Sequence, residues 1–257
     1  SSDPEGGPLS YAWDFGDGAG FQSGLGSNPT HSYGSPGSKT VSLRVTDDNG
    51  ASDTASQSIT VNEFPTASFT HTPADPVLGE PINFDASGSS DPDGSIASYE
   101  WDVDGDGTTD KSGEIVSHTY TSGTSQTVTL TVTDDDGAST SASQTLSLRI
   151  RADVDLKTKN INSKKKGVIP VEIRPSEHLD PASDIDVGSL RFGAPSTVDS
   201  GGGAAPAHGG HQKGNGSLML HFPMPDTGLQ SGDTQAKLVG ETIDGDTLFD
   251  TVSVTVK

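Results

Sequence analysis

From Thr127 to Thr133 the chain reads TVTLTVT, with Val128, Leu130 and Val132 at every second position and threonines between them. Unbroken alternation over this length predicts a β-strand with one buried face and one wet face. Shorter apolar or alternating runs follow the same logic at PINFDAS (81–87), SYEWDV (98–103) and SQTLSLRI (143–150). Gly, Pro, Asp and Ser bound each of them, and these residues close turns. Short strands at this spacing predict an antiparallel β-sandwich.

The pattern occurs twice. SSDPEGGPLSYAWDFGDG at 1–18 aligns with SSDPDGSIASYEWDVDGDG at 89–107, THSY at 30–33 with SHTY at 117–120, and TVSLRVTDDNGAS at 40–52 with TVTLTVTDDDGAS at 127–139. A constant offset of 87 or 88 residues marks a tandem duplication of one domain-sized unit. These motifs resemble the PKD domain, an immunoglobulin-like module of secreted and cell-surface proteins, over about residues 1–150. The resemblance implies that Trp13, Trp101, Tyr33 and Tyr120 are core residues, and that His31 and His118 of the HxY motif are structural. It also implies that calcium can bind near the SSDPDG turn.

The first copy departs from the pattern. Phe64 to Gly88, which should form the first two strands of the second copy, have no counterpart ahead of Ser1. A sandwich without those strands exposes backbone edges and an uncovered core. Three explanations fit: the chain is a piece of a longer protein, a neighbouring chain supplies the strands, or the first copy is degenerate.

After residue 150 the signature stops and lysines appear at 157, 159 and 164–166. KGVIPVEI, GSLRFG, SLMLHFPM, QAKLVGETI and TVSVTV predict further strands, and a Gly-, Ala- and His-rich loop fills 197–216. This segment resembles a small C-terminal sandwich module that recurs in secreted bacterial and archaeal proteins. Where its relatives carry an acidic D-x-N-G-D-G loop, this chain reads HQKGNG, so no calcium is expected there. The expected fold is all-β: two tandem immunoglobulin-like PKD sandwiches over 1–62 and 63–150, the first lacking its N-terminal strands, and a third β-sandwich over 151–257.

Composition supports short strands. Hydrophobic residues are 29% and aromatics 5% of 257 residues, with 32 Gly and 16 Pro. Net charge is -21, of which -18 falls on residues 1–150. That half has reason to bind cations, or to live in high salt. A nucleic-acid partner is excluded, because phosphate binding needs a basic face. There is no cysteine, which leaves bound metal as the obvious staple for an exported form. No apolar run approaches the length of a membrane span.

The sharpest candidate chemistry is the loop WDVDGDGTTD. Hard cations such as Ca²⁺ take six to eight oxygen ligands, and aspartates at alternate positions of a turn converge on one point. Asp102, Asp104 and Asp106 occupy the first, third and fifth positions, the Thr108 carbonyl the seventh, and Asp110 the ninth. Gly113 stands where the bidentate Glu of an EF-hand belongs, so the likeness to that loop stops there. Asp91 and Asp93 are expected to join the calcium site. A weaker site in the first copy is assigned to Asp14, Asp17 and Asp3.

TDDNG and TDDDG at 46–50 and 133–137 are explained as hairpin turns. His208, His211 and His221 are weak transition-metal candidates, and the lysine cluster is read as a guarded strand edge. There is no nucleophile elbow, Walker loop or G-x-G-x-x-G, so an enzyme is not expected. The expected function is a calcium-stabilised extracellular structural protein, self-associating into a filament by strand complementation or mediating adhesion to other surface proteins. The alternative is an accessory region of a secreted hydrolase that binds polysaccharide or protein.

Overall fold

The computed structural model describes residues 1–2, 6–164 and 166–257. The described chain is almost entirely β, as its alternating pattern requires, with two short helices at Pro181–Asp184 and Pro195–Asp199. By contacts it divides into two compact units. One comprises Ser1–Ser68, Ala86–Glu100 and Leu130–Ala142; the other comprises Phe69–Asp85, Trp101–Thr129 and Ser143–Lys257.

The first repeat is one four-stranded antiparallel sheet. Its strands are β1 (Ser10–Asp14), β2 (Gln22–Ser23), β3 (Gly37–Thr46) and β4 (Ser52–Val61), in the order β2-β1-β3-β4. β3 and β4 form a long hairpin running from Gly37↔Val61 to Thr46↔Ser52. The Asp47 carboxylate closes the turn by accepting the amides of Asn49 and Ala51 at 3.0 and 2.8 Å. Among the described residues this repeat has no second sheet.

The second repeat has two. β5 (Thr70–Thr72), β6 (Ile82–Asp85), β7 (Ile96–Asp102), β8 (Lys111–Ser112), β9 (Ile115–His118), β10 (Ser125–Asp134) and β11 (Ser139–Ser147) divide into a four-stranded sheet β11-β10-β7-β8 and a three-stranded sheet β5-β6-β9. The alternation at 127–133 is realised in full, with Val128, Leu130 and Val132 all at 0% exposure. Phe69 and Phe84 pack on Trp101 at centroid distances of 5.1 and 5.7 Å, edge-on and tilted respectively, arrangements that suit aromatic quadrupoles.

Both repeats keep the same framework bonds. The Trp13 indole N–H donates to the Gly26 carbonyl and that of Trp101 to the Gly113 carbonyl, at 3.0 and 2.9 Å. The Tyr33 hydroxyl donates to the Phe15 carbonyl and that of Tyr120 to the Val103 carbonyl, at 2.9 and 2.6 Å. His31 stacks on Phe15 at 4.0 Å, and His118 meets Tyr120 edge-on at 4.4 Å.

The third segment is a second two-sheet sandwich. One sheet contains Ile150–Arg151, Thr247–Ser253, Gln235–Thr242 and Ile185–Gly193 in that spatial order; the other contains Asp153–Leu156, Val168–Arg174, Leu218–Pro223 and His211–Gln212. Phe192 and Phe222, one from each sheet, meet at 5.2 Å in a core that includes Leu190, Leu220, Leu238 and Leu248. The strand Asp153–Leu156 was not foreseen: its four residues carry two aspartates, and only Val154 and Leu156 point inward.

Of the lysine cluster, Lys157 is engaged in an ion pair, joined there by Lys213 from outside the cluster. Lys157 and Lys213 both ion-pair with Glu172, whose side chain is 5% exposed. They hold its carboxyl down at about 2 against the cost of burial.

Candidate metal centre

The loop between β7 and β8 folds back on the Asp102 carboxylate. One Asp102 oxygen accepts the Gly105 amide at 2.7 Å and the other accepts the Gly107 amide at 2.9 Å. This wrap needs left-handed backbone at both glycines, with φ of +75° and +87°. Asp104 accepts the Asp106 amide at 3.2 Å, and Asp106 accepts the Thr108 hydroxyl and amide at 2.6 and 2.8 Å. Those two bonds, the hydroxyl first, hold the Asp106 carboxyl below its ordinary pKa. One carboxylate oxygen from each of Asp102, Asp104 and Asp106 lies within 4.8 Å of the other two, a spacing that one hard cation can bridge.

Asp110 does something different. Its carboxylate accepts the Val103 amide at 2.8 Å, while its own amide donates to the Trp101 carbonyl at 2.8 Å. It thereby ties the loop's end to its start and stands outside the three-carboxylate group. The Thr108 side chain is likewise committed to Asp106.

Asp91 and Asp93 belong to a second acidic cluster, with Asp134, Asp135 and Asn62. Asp134 is 2% exposed. One of its oxygens closes the β10–β11 turn by accepting the Asp136 and Ala138 amides, at 3.1 and 2.7 Å. The other accepts the Asn62 side-chain amide at 2.9 Å. Burial opposes the Asp134 charge, but these donors outweigh it and its pKa is lowered. Asp135 accepts the Ser95 amide at 2.7 Å, and Asp93 accepts the Glu63 amide at 3.2 Å.

The Asp91 carboxylate is the unsatisfied member. Both its oxygens are shut off from solvent, and neither accepts a hydrogen bond of ordinary geometry. Burial raises its pKa; the nearby Asp93 amide opposes the rise only in part, and the charges of Asp134, Asp93 and Asp135 add to it. The cluster is tight: a Cβ at Gly94 would lie 2.3 Å from an Asp135 oxygen and 2.6 Å from an Asp91 oxygen. Any side chain here would displace the acids. Among the described residues only Asp102, Asp104 and Asp106 bring three acid oxygens within 4.8 Å of one another, so the acids around Asp91 are close neighbours but not a converged ligand group.

The sequence reading missed Asn62 and Asp134. The TDDDG turn accounts for one Asp134 oxygen and says nothing of the other. The turn motif carries no signal for the pair, because Asp134 has its equivalent in Asp47 of the first copy.

In the first copy, Asp14 accepts the Gly16 amide at 2.9 Å, and Asp17 accepts the Ala19 amide at 3.1 Å. The second Asp17 oxygen lies 3.1 Å from His31 Nε2, at an angle too poor for a hydrogen bond. Both residues cap turns, and Asp3 lies outside the described residues. His208, His211 and His221 are not gathered into a cluster of three ligands among the described residues. Nor, among those residues, is any helix long and apolar enough to cross a membrane.

Two tandem immunoglobulin-like units with paired Trp and Tyr framework bonds and an Asp-rich turn define a β-sandwich module protein. The PKD domain family matches residues 1–61 and 62–150, and the chain belongs to that family. It is 43% identical over 104 residues to the pre-pro-metalloprotease PrtV of Vibrio cholerae, a match covering 39% of this chain and 10% of that protein. It is 44% identical over 62 residues to a microbial collagenase of Vibrio alginolyticus, covering 24% and 7%. The chain therefore spans a tenth or less of the length of these curated relatives. Among solved structures, the PKD1 domain of the Vibrio cholerae metalloprotease PrtV is 38% identical, covering 34% of this chain and 98% of its own, with a TM-score of 0.29.

Proposed function

We propose that this chain is a non-catalytic extracellular segment whose PKD half is stiffened by Ca²⁺. The observation that carries the reading is the Asp91 carboxylate, with both oxygens shut from solvent and unpaired among three other acids. Asp91, Asp93, Asp134 and Asn62 form one set, whose acid oxygens do not converge within 4.8 Å and would have to draw together around the ion. Asp102, Asp104 and Asp106 supply another. The first set includes Asn62, which follows directly on β4, so its cation would fasten the end of the first repeat to the turns of the second.

Calorimetric titration of the chelator-stripped chain tests this. Saturable calcium binding is expected, and Asp91→Asn should abolish the tighter phase without lowering the melting temperature of the metal-free chain. Absence of any binding heat, or an unchanged titration in Asp91→Asn, would sink the proposal.

A second reading has its own support. The relatives are named as a metalloprotease and a collagenase and are far longer than this chain, which favours an accessory region of a secreted hydrolase. Retention of the chain on immobilised collagen or polysaccharide would favour that role over a purely structural one.

A further inference from the structure

We propose that the boundary at residue 150 is a rigid coupling rather than a linker, so that the Trp101 core of the second repeat and the third sandwich unfold as one body. The first sign is in the sequence. Leu146, Leu148, Ile150, Ala152, Val154 and Leu156 stand at every second position, and no Gly or Pro interrupts the run. A boundary between independent domains is exposed, rich in Pro, Gly or polar residues, and crossed by few contacts. Here all six side chains are buried, none more than 9% exposed, so one inward face runs straight from one module into the next.

The backbone is paired across the whole crossing. The Leu148 amide donates to the Thr124 carbonyl at 2.6 Å and the Arg149 amide to the Pro76 carbonyl at 2.9 Å, while the Arg149 carbonyl accepts the Leu78 amide at 3.0 Å. One residue later the chain belongs to the third sandwich. Ile150 and Arg151 pair in parallel with Leu248 and Phe249, and the Ala152 amide donates to the Phe249 carbonyl at 2.9 Å. A hinge needs residues that can absorb a change in backbone dihedrals, and each residue from Leu148 to Ala152 is held by one of these bonds.

Side chains close the joint from the polar face. Arg149 lies 3.8 Å from the centre of the Phe249 ring and pairs with Asp75 at 3.3 Å. Arg151 lies 5.6 Å from the same ring and pairs with Glu80 at 2.6 Å. Asp75 and Glu80 belong to the second repeat and Phe249 to the third sandwich, so each arginine bridges the two. Exposed ion pairs alone would hold such a joint weakly, and the shared ring gives both guanidinium groups a fixed seat. The Thr124 hydroxyl donates to Asp246, and His178 sits so close over Gly79 that a Cβ there would lie 3.0 Å from its Nε2. The compact unit that contains Trp101 accordingly contains the whole third sandwich, with no division at 150.

The third sandwich has neither Trp nor Tyr, so in a Trp13→Phe background Trp101 alone reports the second repeat. Ile173→Val and Leu220→Ala weaken the third sandwich from the sheet that does not carry Phe249, the first mildly enough to keep the fold. The full chain is unfolded in urea with chelator present, so the outcome is independent of calcium. Both variants are expected to lower the midpoint read by Trp101 emission by the same amount as the midpoint read by hydrogen exchange of the Leu218–Pro223 amides. Arg149→Ala combined with Phe249→Leu should shrink the shift transmitted to Trp101 to less than half. An unmoved Trp101 midpoint beside a lowered third-sandwich midpoint would overturn the proposal. A transmitted shift left intact by the double variant would overturn it as well, since the clamp on Phe249 would then couple nothing.

Discussion

The two repeats carry the same tryptophan and tyrosine anchors with the same hydrogen-bond partners, yet only one of them has a closed core. Trp101 is 0% exposed and Trp13 is half-buried. The same TVxLxVT motif reaches different burial because, among the described residues, one copy has a second sheet over it and the other does not. Alternation along a strand thus determines which side chains share a face, while the depth of burial is determined by what lies opposite.

The most severe test of this contrast is to remove each tryptophan. Trp101→Ala is expected to cost about 4 kcal/mol, as for a fully packed aromatic, and Trp13→Ala about 1 kcal/mol. Urea denaturation followed by far-UV circular dichroism reads both. Equal costs would mean that the first repeat is as well covered as the second.

Calcium should divide the repeats next. Asp47 and Asp134 close equivalent turns with equivalent amide bonds, but the second oxygen of Asp134 also holds Asn62. At a hundredfold excess over its dissociation constant, a ligand confined to the folded state adds about 2.7 kcal/mol. Asp134→Asn is expected to remove most of the calcium-induced rise in melting temperature, and Asp47→Asn to leave it intact. If both variants lost the rise equally, the assignment to the second repeat would be wrong.

A smaller difference is expected at the tyrosines. The Tyr120 hydroxyl is buried with its bond to Val103, and that of Tyr33 is part-buried with its bond to Phe15. Tyr120→Phe should cost about 1.5 kcal/mol and Tyr33→Phe about 0.5 kcal/mol, because an orphaned carbonyl is harder to rehydrate in the closed core.

These pairs also show what could be read without coordinates. The duplication, the strands and the framework aromatics are local or repeated patterns, and they emerge directly from spacing. The Asp102, Asp104 and Asp106 group is also local, since alternate residues of one turn must converge. Asn62 and Asp134 are 72 positions apart and meet only through the fold, so no spacing rule links them. Asp110 was placed by analogy with a helix-flanked loop, whereas here its backbone continues between two strands and turns its carboxylate onto the Val103 amide.

The smallest signal is spectroscopic and isolates one tyrosine among four. Burial, with the charges of Asp104, Asp110 and Asp102 adding to it, raises the Tyr120 hydroxyl from 10.0 to about 12. A raised folded-state pKa favours the neutral phenol in the folded chain, so its contribution is fully present below pH 10. That contribution is lost as pH rises through about 12. Absorbance titration at the phenolate band should show one late-ionising tyrosine that vanishes in Tyr120→Phe, and the second repeat should lose stability over the same interval. Bound calcium beside Asp102 and Asp104 would cancel part of the acidic field and pull that late ionisation downward. Comparing the titration with and without chelator therefore tests the acidic loop through the hydroxyl beneath it.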